Sequence, residues 1–502
     1  MTTTTRPRTP ATRGGGTSAG GATASPRGAR QGWSVESVGD WLRSPVAPYY
    51  LVLVSAGLLT GLGLVMVLSA SSVRSYVESG NSYTVFLAQV FYAVAGIALA
   101  ALGARLPIVA WKRLAWPAVI LALGLQAAVF TGMGVEFQGN RNWIEIAGRT
   151  VQPSEFGKLA LVVFGAAVLA AKRKVVHRVW QASVPLVFPV GIVLVGLVLQ
   201  GKDLGTGMIM LAILVGLLWT AGLPARWFLG VGAVAVLGVA YLAAGSANRM
   251  QRIQVWLGDV CDSPQVDGCF QKVHAEYALA DGGWWGLGLG ESREKWGLLP
   301  EPHNDFILAI IGEELGLPGT IGVLALFAVL AYAIFRIVSQ AEDMFTRLAA
   351  AGVLIWLLGQ AVLNIGSVIG MLPIIGVPLP LVSSGGSALL AALMGIGLLL
   401  SLARSLPGAR EALAQRTSSL DRTYAAVTSG RSGAAGGARR ASGVPRTSGR
   451  TTPRASTHGA PLPPAPGASA RKAPSTRRAP SARKTSSTRG APRARRSPKG
   501  RR

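Results

Sequence analysis

Long apolar stretches constrain this chain more than any other feature of its sequence. About ten segments approach the ~20 apolar residues that cross the hydrocarbon core of a bilayer as a helix. They lie at 49–71, 83–104, 114–131, 156–171, 183–200, 204–222, 227–244, 318–337, 348–369 and 387–403. Because lipid offers no hydrogen-bond partners, backbone groups in such segments must be satisfied within a helix. The sequence therefore predicts an all-α integral membrane protein with about ten transmembrane helices.

The two ends of the chain differ from this apolar core. Residues 1–46 and 406–502 are rich in Pro, Ser, Ala, Gly and Arg, so they bury too little apolar surface to offset their ordering entropy. Between Arg404 and Arg502, 23 basic residues accompany two acidic ones, and this tail holds most of the formal net charge of +27. We predict disordered tails around a transmembrane core at 47–405. The excess of basic residues is thus a property of the tail. Nucleic acid is not an expected partner.

Basic residues in alternate short loops predict the orientation of the core, because Lys and Arg in such loops favour the cytoplasm. They are Arg105, Lys112, Arg113, the run Lys172–Arg178, Arg226, Arg336 and Arg347. Both termini are then expected in the cytoplasm, with the loops 132–155, 245–305 and 370–386 outside. The largest outer loop, 245–305, lies between the seventh and eighth helices, and 306–317 is predicted to be a helical lead-in to the eighth.

The large outer loop contains the only two cysteines of the sequence, Cys261 and Cys269. They are close together on the face predicted to be oxidising, which favours a disulfide, although two free thiols are the alternative. His274 and His303 are not set beside a cysteine pair or another histidine at ligand spacing, so no zinc site is expected.

Polar groups close to hydrocarbon are costly and usually mark a site. Glu155 and Lys158 are three residues apart at the start of the fourth helix, and Lys202 and Asp203 lie in the turn "GKDLGTG". Asp305 ends the large loop, and "GMLPIIGVPLPLVSSGGS" is a Pro- and Gly-rich outer loop that must be buried in protein if it enters the membrane. These clusters predict a site at the outer face.

Each of these residues also has a structural interpretation. Glu155 and Lys158 would form an ion pair on one helix face, and Trp143 would be an interfacial aromatic residue. Asp305 would cap the helix that begins at Phe306, while Glu313 and Glu314 would face water or cap the next helix. Periodicity alone does not decide between these interpretations.

Three strings shift that balance: "NWIEIAGRTVQPSEFGK", "AEYALADGGWWGLGLGESREKWGLLPEPHNDFILAIIGEELG" and "GQAVLNIGSVIGMLPIIGVPLPLVSSGGS". In order, between about residue 49 and residue 404, the chain resembles the SEDS family of shape, elongation, division and sporulation proteins, and most closely its division members. The resemblance implies a membrane peptidoglycan glycosyltransferase that polymerises lipid II outside the cytoplasmic membrane. It places the family's essential aspartate at Asp305 and functionally important positions at Trp143, Glu155 and Lys158.

The implied reaction needs a base for the acceptor hydroxyl while a polyprenyl pyrophosphate departs from the anomeric carbon. Partial desolvation of Asp305 would raise its pKa and its basicity. Lys158 and Arg252 are expected to offset pyrophosphate charge, and Asp203 is expected beside the same cavity. No cofactor is implied with certainty, and a divalent cation, Mg²⁺ or Mn²⁺, is left open.

The resemblance also implies partners: lipid II, the nascent glycan strand and a class B penicillin-binding protein. Division proteins would bind the basic C-terminal tail, and the protein would be enriched at the division septum. Three alternatives stay open at this point: an elongation polymerase of the same family, a lipid II flippase whose charged residues line a translocation path, and a non-catalytic scaffold for division proteins.

Overall fold

The computed structural model describes residues 35–137, 140–146, 148–175, 178–245, 247–258 and 267–413. Its helices are α1 Val35–Arg43, α2 Ala47–Ser79, α3 Thr84–Arg105, α4 Ile108–Ala128, α5 Pro153–Ala171, α6 Val179–Ser183, α7 Ile192–Gln200, α8 Leu204–Thr220, α9 Ala225–Ala244, α10 Ala247–Leu257, α11 Asp267–Gly282, α12 Ile307–Gln340, α13 Met344–Val368 and α14 Gly386–Arg404. A π-helical turn, Leu186–Gly191, leads into α7, and a 3₁₀ turn, Glu294–Trp296, precedes α12.

Among the described residues, seven helices are long and apolar enough to cross a membrane: α2, α3, α4, α5, α12, α13 and α14. Shorter apolar helical segments cover Leu186–Gln200, Leu204–Thr220 and Ala225–Gly238. All of them overlap segments that hydropathy predicted, but the total of about ten spans stays a prediction. The hydrophobic core draws on most of the long helices, and in α5 and α13 large side chains such as Phe164, Leu161 and Trp356 are fully buried.

Three short strands occur where the sequence analysis predicted only a loop. They are β1 Gly134–Phe137, β2 Asn140–Ile146 and β3 Arg149–Val151, and they pair antiparallel in that order. In β2, Ile144 is buried and lies opposite Val151 of β3. The Arg141 amide also donates to the Gly201 carbonyl at 3.2 Å, which fixes the sheet to the turn before α8. The sheet is small. Strands β1 and β3 are shorter than a typical strand of about 5–6 residues, and β2 is only slightly longer.

The predicted outer loop 245–305 is largely helical in its described part, which contains α10 and α11. The predicted tails lie mostly outside the described residues; α1 is the described helix of the N-terminal one. The domain boundaries at 46 and 405 stay predictions.

Helix α12 is broken near its beginning, at Gly316, whose φ is 64° and ψ is −159°. Two residues later Pro318 has no N–H to offer the Glu314 carbonyl, which would leave that acceptor without its helical partner. The carbonyl instead accepts from the Gly288 amide at 3.0 Å. The break therefore divides α12 into a first segment that ends at Leu315 and a second segment that begins at Leu317.

We expect Gly316→Ala to destabilise the protein, because this backbone conformation is essentially restricted to glycine and costs other residues about 1–3 kcal/mol. An added Cβ would also lie 2.8 Å from the Trp284 carbonyl oxygen. Gly322→Ala is the matched control, because a Cβ there meets open space and alanine favours a helix interior. Thermal unfolding in detergent should show a lower midpoint for Gly316→Ala alone; equal midpoints would contradict the assigned break.

Candidate active site

Asp305 lies in the turn directly before α12, outside the membrane-spanning segment. The first helical position is preceded by Phe306, and no side chain caps the helix, so Asp305 does not act as the predicted N-cap. The Asp305 carbonyl accepts from Nδ2 of Asn364 at 2.8 Å. Its Oδ1 is buried without a hydrogen-bond partner. This oxygen is therefore open to accept a hydrogen bond from a bound group.

The pKa of Asp305 is raised to about 7, chiefly by burial and also by the negative charges of Glu301 and Asp203, while the Arg252 guanidinium acts in the opposite direction. A carboxyl group with a pKa near 7 exchanges its proton at neutral pH. Asp305 is therefore suited to general-base chemistry.

The loop between α13 and α14 closes over Asp305. Gly376 has a φ of 77°, and a Cβ on it would lie 3.4 Å from Oδ2 of Asp305 and 3.9 Å from Nη1 of Arg252. Arg252, on α10, donates to the Ile374 carbonyl at 3.2 Å. Asp305 and Arg252, which the sequence analysis named separately, thus converge on the backbone of one loop.

Two amide side chains of α13 hold this loop, and sequence reasoning missed both. Asn364 donates from Nδ2 to the Val377 carbonyl at 2.8 Å, in addition to its bond with Asp305. One helical turn earlier, Gln360 donates from Nε2 to the Pro378 carbonyl at 2.9 Å. The available signal was a pair of amides on one face of an otherwise apolar helix, since polar residues inside a membrane segment usually have a role.

Glu155 and Lys158 form an ion pair of 2.8 Å inside the helical core. The Lys158 ammonium also donates to Oε1 of Gln360 at 2.7 Å and lies 5.5 Å from the centroid of the Trp356 ring. Lys158 is 0% exposed. The arrangement favours the structural interpretation of this pair, and through Gln360 it connects the pair to the loop over Asp305. Glu155 itself lines a small cavity with Gln360 and Pro378.

Two further predicted site residues, Asp203 and Trp143, lie on other elements, α8 and β2. Asp203 is the N-cap of α8: it accepts from the Thr206 amide at 2.9 Å and from Nε2 of Gln152 at 3.0 Å. Trp143 is half-buried in β2, opposite Val135 of β1. Asp203 acts on Asp305 only through its charge.

The expectation that Glu313 and Glu314 face water or cap a helix is wrong, because both side chains are buried within α12. Glu313 accepts from Oγ of Ser292 at 2.5 Å and from the Arg293 amide at 2.6 Å. Glu314 accepts from Oγ of Ser69 at 2.5 Å and pairs with Lys295 at 3.4 Å. These carboxylates thus bind the loop that precedes α12.

The structure describes only one of the two cysteines that were predicted to pair. Cys269 is buried near the start of α11, and Cys261 lies outside the described residues, so the pairing stays a prediction. His274 contacts Glu294 through Nδ1 at 2.7 Å. Within the described ranges, no three His, Cys, Asp or Glu side chains come together as a metal site would require.

Residues 49–407 match the family of cell cycle proteins FtsW, RodA and SpoVE. The chain belongs to this FtsW, RodA and SpoVE family. Its similarity to individual members of the family is substantial. It is 42% identical over 376 residues to the probable peptidoglycan glycosyltransferase FtsW of Mycobacterium tuberculosis, covering 75% of this chain and 71% of that protein. It is 34% identical over 363 residues to the stage V sporulation protein E of Bacillus subtilis, covering 71% and 97%.

Solved structures agree with the assignment to the FtsW, RodA and SpoVE family. A chain from a peptidoglycan synthase complex that coordinates polymerization and crosslinking matches with a TM-score of 0.58 and 26% identity, covering 71% of this chain and 97% of that one. The Rod shape determining protein RodA of Thermus thermophilus matches with a TM-score of 0.53 and 26% identity, covering 73% and 99%. The predicted family is confirmed, and so is the predicted helical membrane fold class, apart from the small sheet β1–β3.

Proposed function

We propose that this protein is a peptidoglycan glycosyltransferase that polymerises lipid II at the outer face of the cytoplasmic membrane. The observation that carries the proposal is Asp305, a carboxyl group with a pKa of about 7 and an unpartnered buried oxygen, set outside the membrane span. The relatives named as probable peptidoglycan glycosyltransferases support the reaction class.

In the proposed reaction, a sugar hydroxyl of one substrate attacks the anomeric carbon of another. The new glycosidic C–O bond forms as the bond from the anomeric carbon to the pyrophosphate oxygen breaks. Asp305 accepts the hydroxyl proton, while the polyprenyl pyrophosphate leaves as an anion and needs no proton donor.

Arg252 is the cation best placed to stabilise the leaving pyrophosphate, because its guanidinium lies close enough to lower the pKa of Asp305. Lys158 was predicted to share this role. Its ammonium is completely buried and already donates to Glu155 and Gln360, so we assign it to the stability of the site.

A role in septal synthesis is favoured over elongation because the FtsW relatives reach 42% identity, compared with 26% for the solved RodA. We further propose a class B penicillin-binding protein as the partner, supported by the similarity to a chain of a complex for polymerization and crosslinking. Recruitment to the septum by the basic tail belongs to the same proposal; that tail lies mostly outside the described residues.

Incubation of the purified protein and its candidate partner with lipid II tests the function directly. We expect long glycan strands on a polyacrylamide gel, absent when the protein is omitted. Strand formation by neither the protein nor the pair, together with transfer of labelled lipid II across proteoliposome membranes, would instead establish a flippase.

The pH dependence of polymerisation should reflect the pKa of Asp305. Because the base must be deprotonated, the rate should fall as pH drops through about 7, the pKa of this group. Glu301 raises that pKa, so Glu301→Gln should move the acid limb to lower pH without abolishing activity. Initial rates from about pH 5 to about pH 9, roughly two pH units on either side of that pKa, would measure the shift. A shift to higher pH would contradict the assignment.

A further inference from the structure

Two adjacent tryptophans stand out on the surface of the turn that follows α11. Trp284 is 73% exposed and Trp285 is 86% exposed. They belong to the segment "GGWWGLGLG", residues 282–290, which we call the tryptophan turn. The turn also exposes Leu289 and contains no charged residue. Large exposed apolar groups in such number indicate a surface that contacts something other than water.

The tryptophan turn is held rigidly against α12. The Leu287 amide donates to the Glu313 carbonyl at 2.9 Å, and the Leu317 amide donates to the Gly283 carbonyl at 3.1 Å. Gly316 approaches so closely that a Cβ there would lie 2.8 Å from the Trp284 carbonyl oxygen. The exposure of the two indoles is thus a property of a fixed turn.

The second segment of α12 places this turn relative to a bilayer. From Leu317 to Arg336 the helix has about 20 residues, which span the ~30 Å of a hydrocarbon core. Leu317, Ile321 and Leu324 are exposed on it, whereas residues 307–314 of the first segment are all buried. The lipid-facing surface of α12 therefore begins at the residue that bonds to the tryptophan turn.

Helix α2 independently indicates the same position for the edge of the hydrocarbon core. Its 33 residues correspond to about 50 Å, more than a bilayer core requires. Its apolar part ends at Leu68, and the remainder, "SASSVRSYVES", is polar. Ser69, the first residue of that polar part, donates to Glu314 at 2.5 Å. Both helices thus put the edge of the hydrocarbon beside Gly316 and the tryptophan turn.

We propose that the tryptophan turn is a membrane-interface anchor, with both indoles inserted between lipid headgroups and the ends of the acyl chains. Tryptophan prefers this region because its ring is apolar while its N–H finds water or headgroup oxygens. The absence of charge in the turn means that neutral phospholipids suffice and that anchoring is insensitive to salt. The anchor fixes the depth of Gly316 in the membrane. Because the first segment of α12 connects Gly316 to Asp305, the anchor also sets the depth of Asp305.

Nitroxide labels at three exposed positions test the proposal in proteoliposomes of phosphatidylcholine. Trp285→Cys reports on the turn, Ile321→Cys on α12 below it, and Val77→Cys on the polar end of α2 above it. We expect the label at Ile321 to collide mainly with oxygen, the label at Val77 mainly with a water-soluble nickel chelate, and the label at Trp285 to give an intermediate ratio. The parent protein, which has no introduced cysteine, is carried through the same labelling reaction and corrects for any label on the native cysteines.

A ratio at Trp285 equal to that at Val77 would overturn the proposal, because the turn would then lie in water. Low collision with both reagents would also overturn it, because protein would cover the turn. A second measurement keeps the native side chains: phospholipids brominated near the headgroup should quench the wild type more than the Trp284→Phe, Trp285→Phe double variant, in low and in high salt. Equal quenching of the two proteins would exclude insertion.

Discussion

Asp305→Asn is expected to reduce lipid II polymerisation by about 10²–10⁴-fold, the usual contribution of a general base. The substitution is nearly isosteric and removes the oxygen that accepts the proton. The carbonyl of residue 305 still accepts from Asn364, so the loop contacts should persist. The measurement is strand formation from lipid II by the purified protein with its partner.

Asp343→Asn provides the matched control for this loss. Asp343 caps α13 by accepting from the Thr346 amide at 3.3 Å, and asparagine is an equally good N-cap. The same chemical change at this position should leave polymerisation near the wild-type rate. Near-normal strand formation by Asp305→Asn, at normal yield of folded protein, would remove Asp305 from its assigned role.

The sequence was sufficient to predict Asp305, because a carboxylate at the end of an apolar segment is costly and the surrounding motif resembles that of the family. Asn364 escaped notice for a physical reason. Its partners are the carbonyls of Asp305 and Val377, and nothing in an amide residue reveals which backbone groups the fold will bring to it. Side chains that bind backbone carry little local sequence signal.

Glu313 and Glu314 show where local reasoning failed. Charged residues beside an apolar run were expected in water, yet both are buried, with donors from Ser292 and Arg293 on Glu313 and a donor from Ser69 on one oxygen of Glu314. Ser292 and Arg293 lie in the loop before α12, and Ser69 lies on α2. Only the tertiary fold brings these donors to the two carboxylates. The strands of the small sheet were missed for a related reason, since short paired segments have weak periodicity.

The helices were predicted far better, because about 20 apolar residues in succession leave few alternatives to a membrane span. The break in α12 also has a local cause in the sequence "GLPG", where Gly316 and Pro318 interrupt the helical hydrogen bonds. Hydropathy and backbone chemistry determine these features locally, so the sequence predicts them. Features that depend on contacts between distant segments were missed.

Lys158→Met is expected to destabilise the folded protein by about 3–5 kcal/mol, the usual consequence of leaving a buried charge without its partner. Glu155 is 2% exposed and would lose the ammonium that lies 2.8 Å away. Gln360 would lose one donor but keep the indole N–H of Trp356, at 3.1 Å from its Oε1. The free energy of unfolding, measured in detergent by chemical denaturation, reports this loss.

Lys112→Met is the matched control, because it breaks a second Lys–Asp/Glu pair by the same substitution at the surface. Lys112 pairs with Asp343 at 3.1 Å, and their side chains are 39% and 47% exposed. Exposed pairs contribute about 0–1 kcal/mol, so this variant should unfold almost like the wild type. Similar losses for both lysines would contradict the importance of burial.

The double variant Lys158→Met, Glu155→Gln distinguishes stability from direct contact with pyrophosphate. Removing both charges leaves no unpaired ion in the core, so most of the lost stability should return. If Lys158 acts only through Glu155 and Gln360, the recovered protein should polymerise lipid II with a KM close to that of the wild type. A double variant that folds normally but has a strongly raised KM would show instead that the Lys158 ammonium leaves its buried position to bind the substrate.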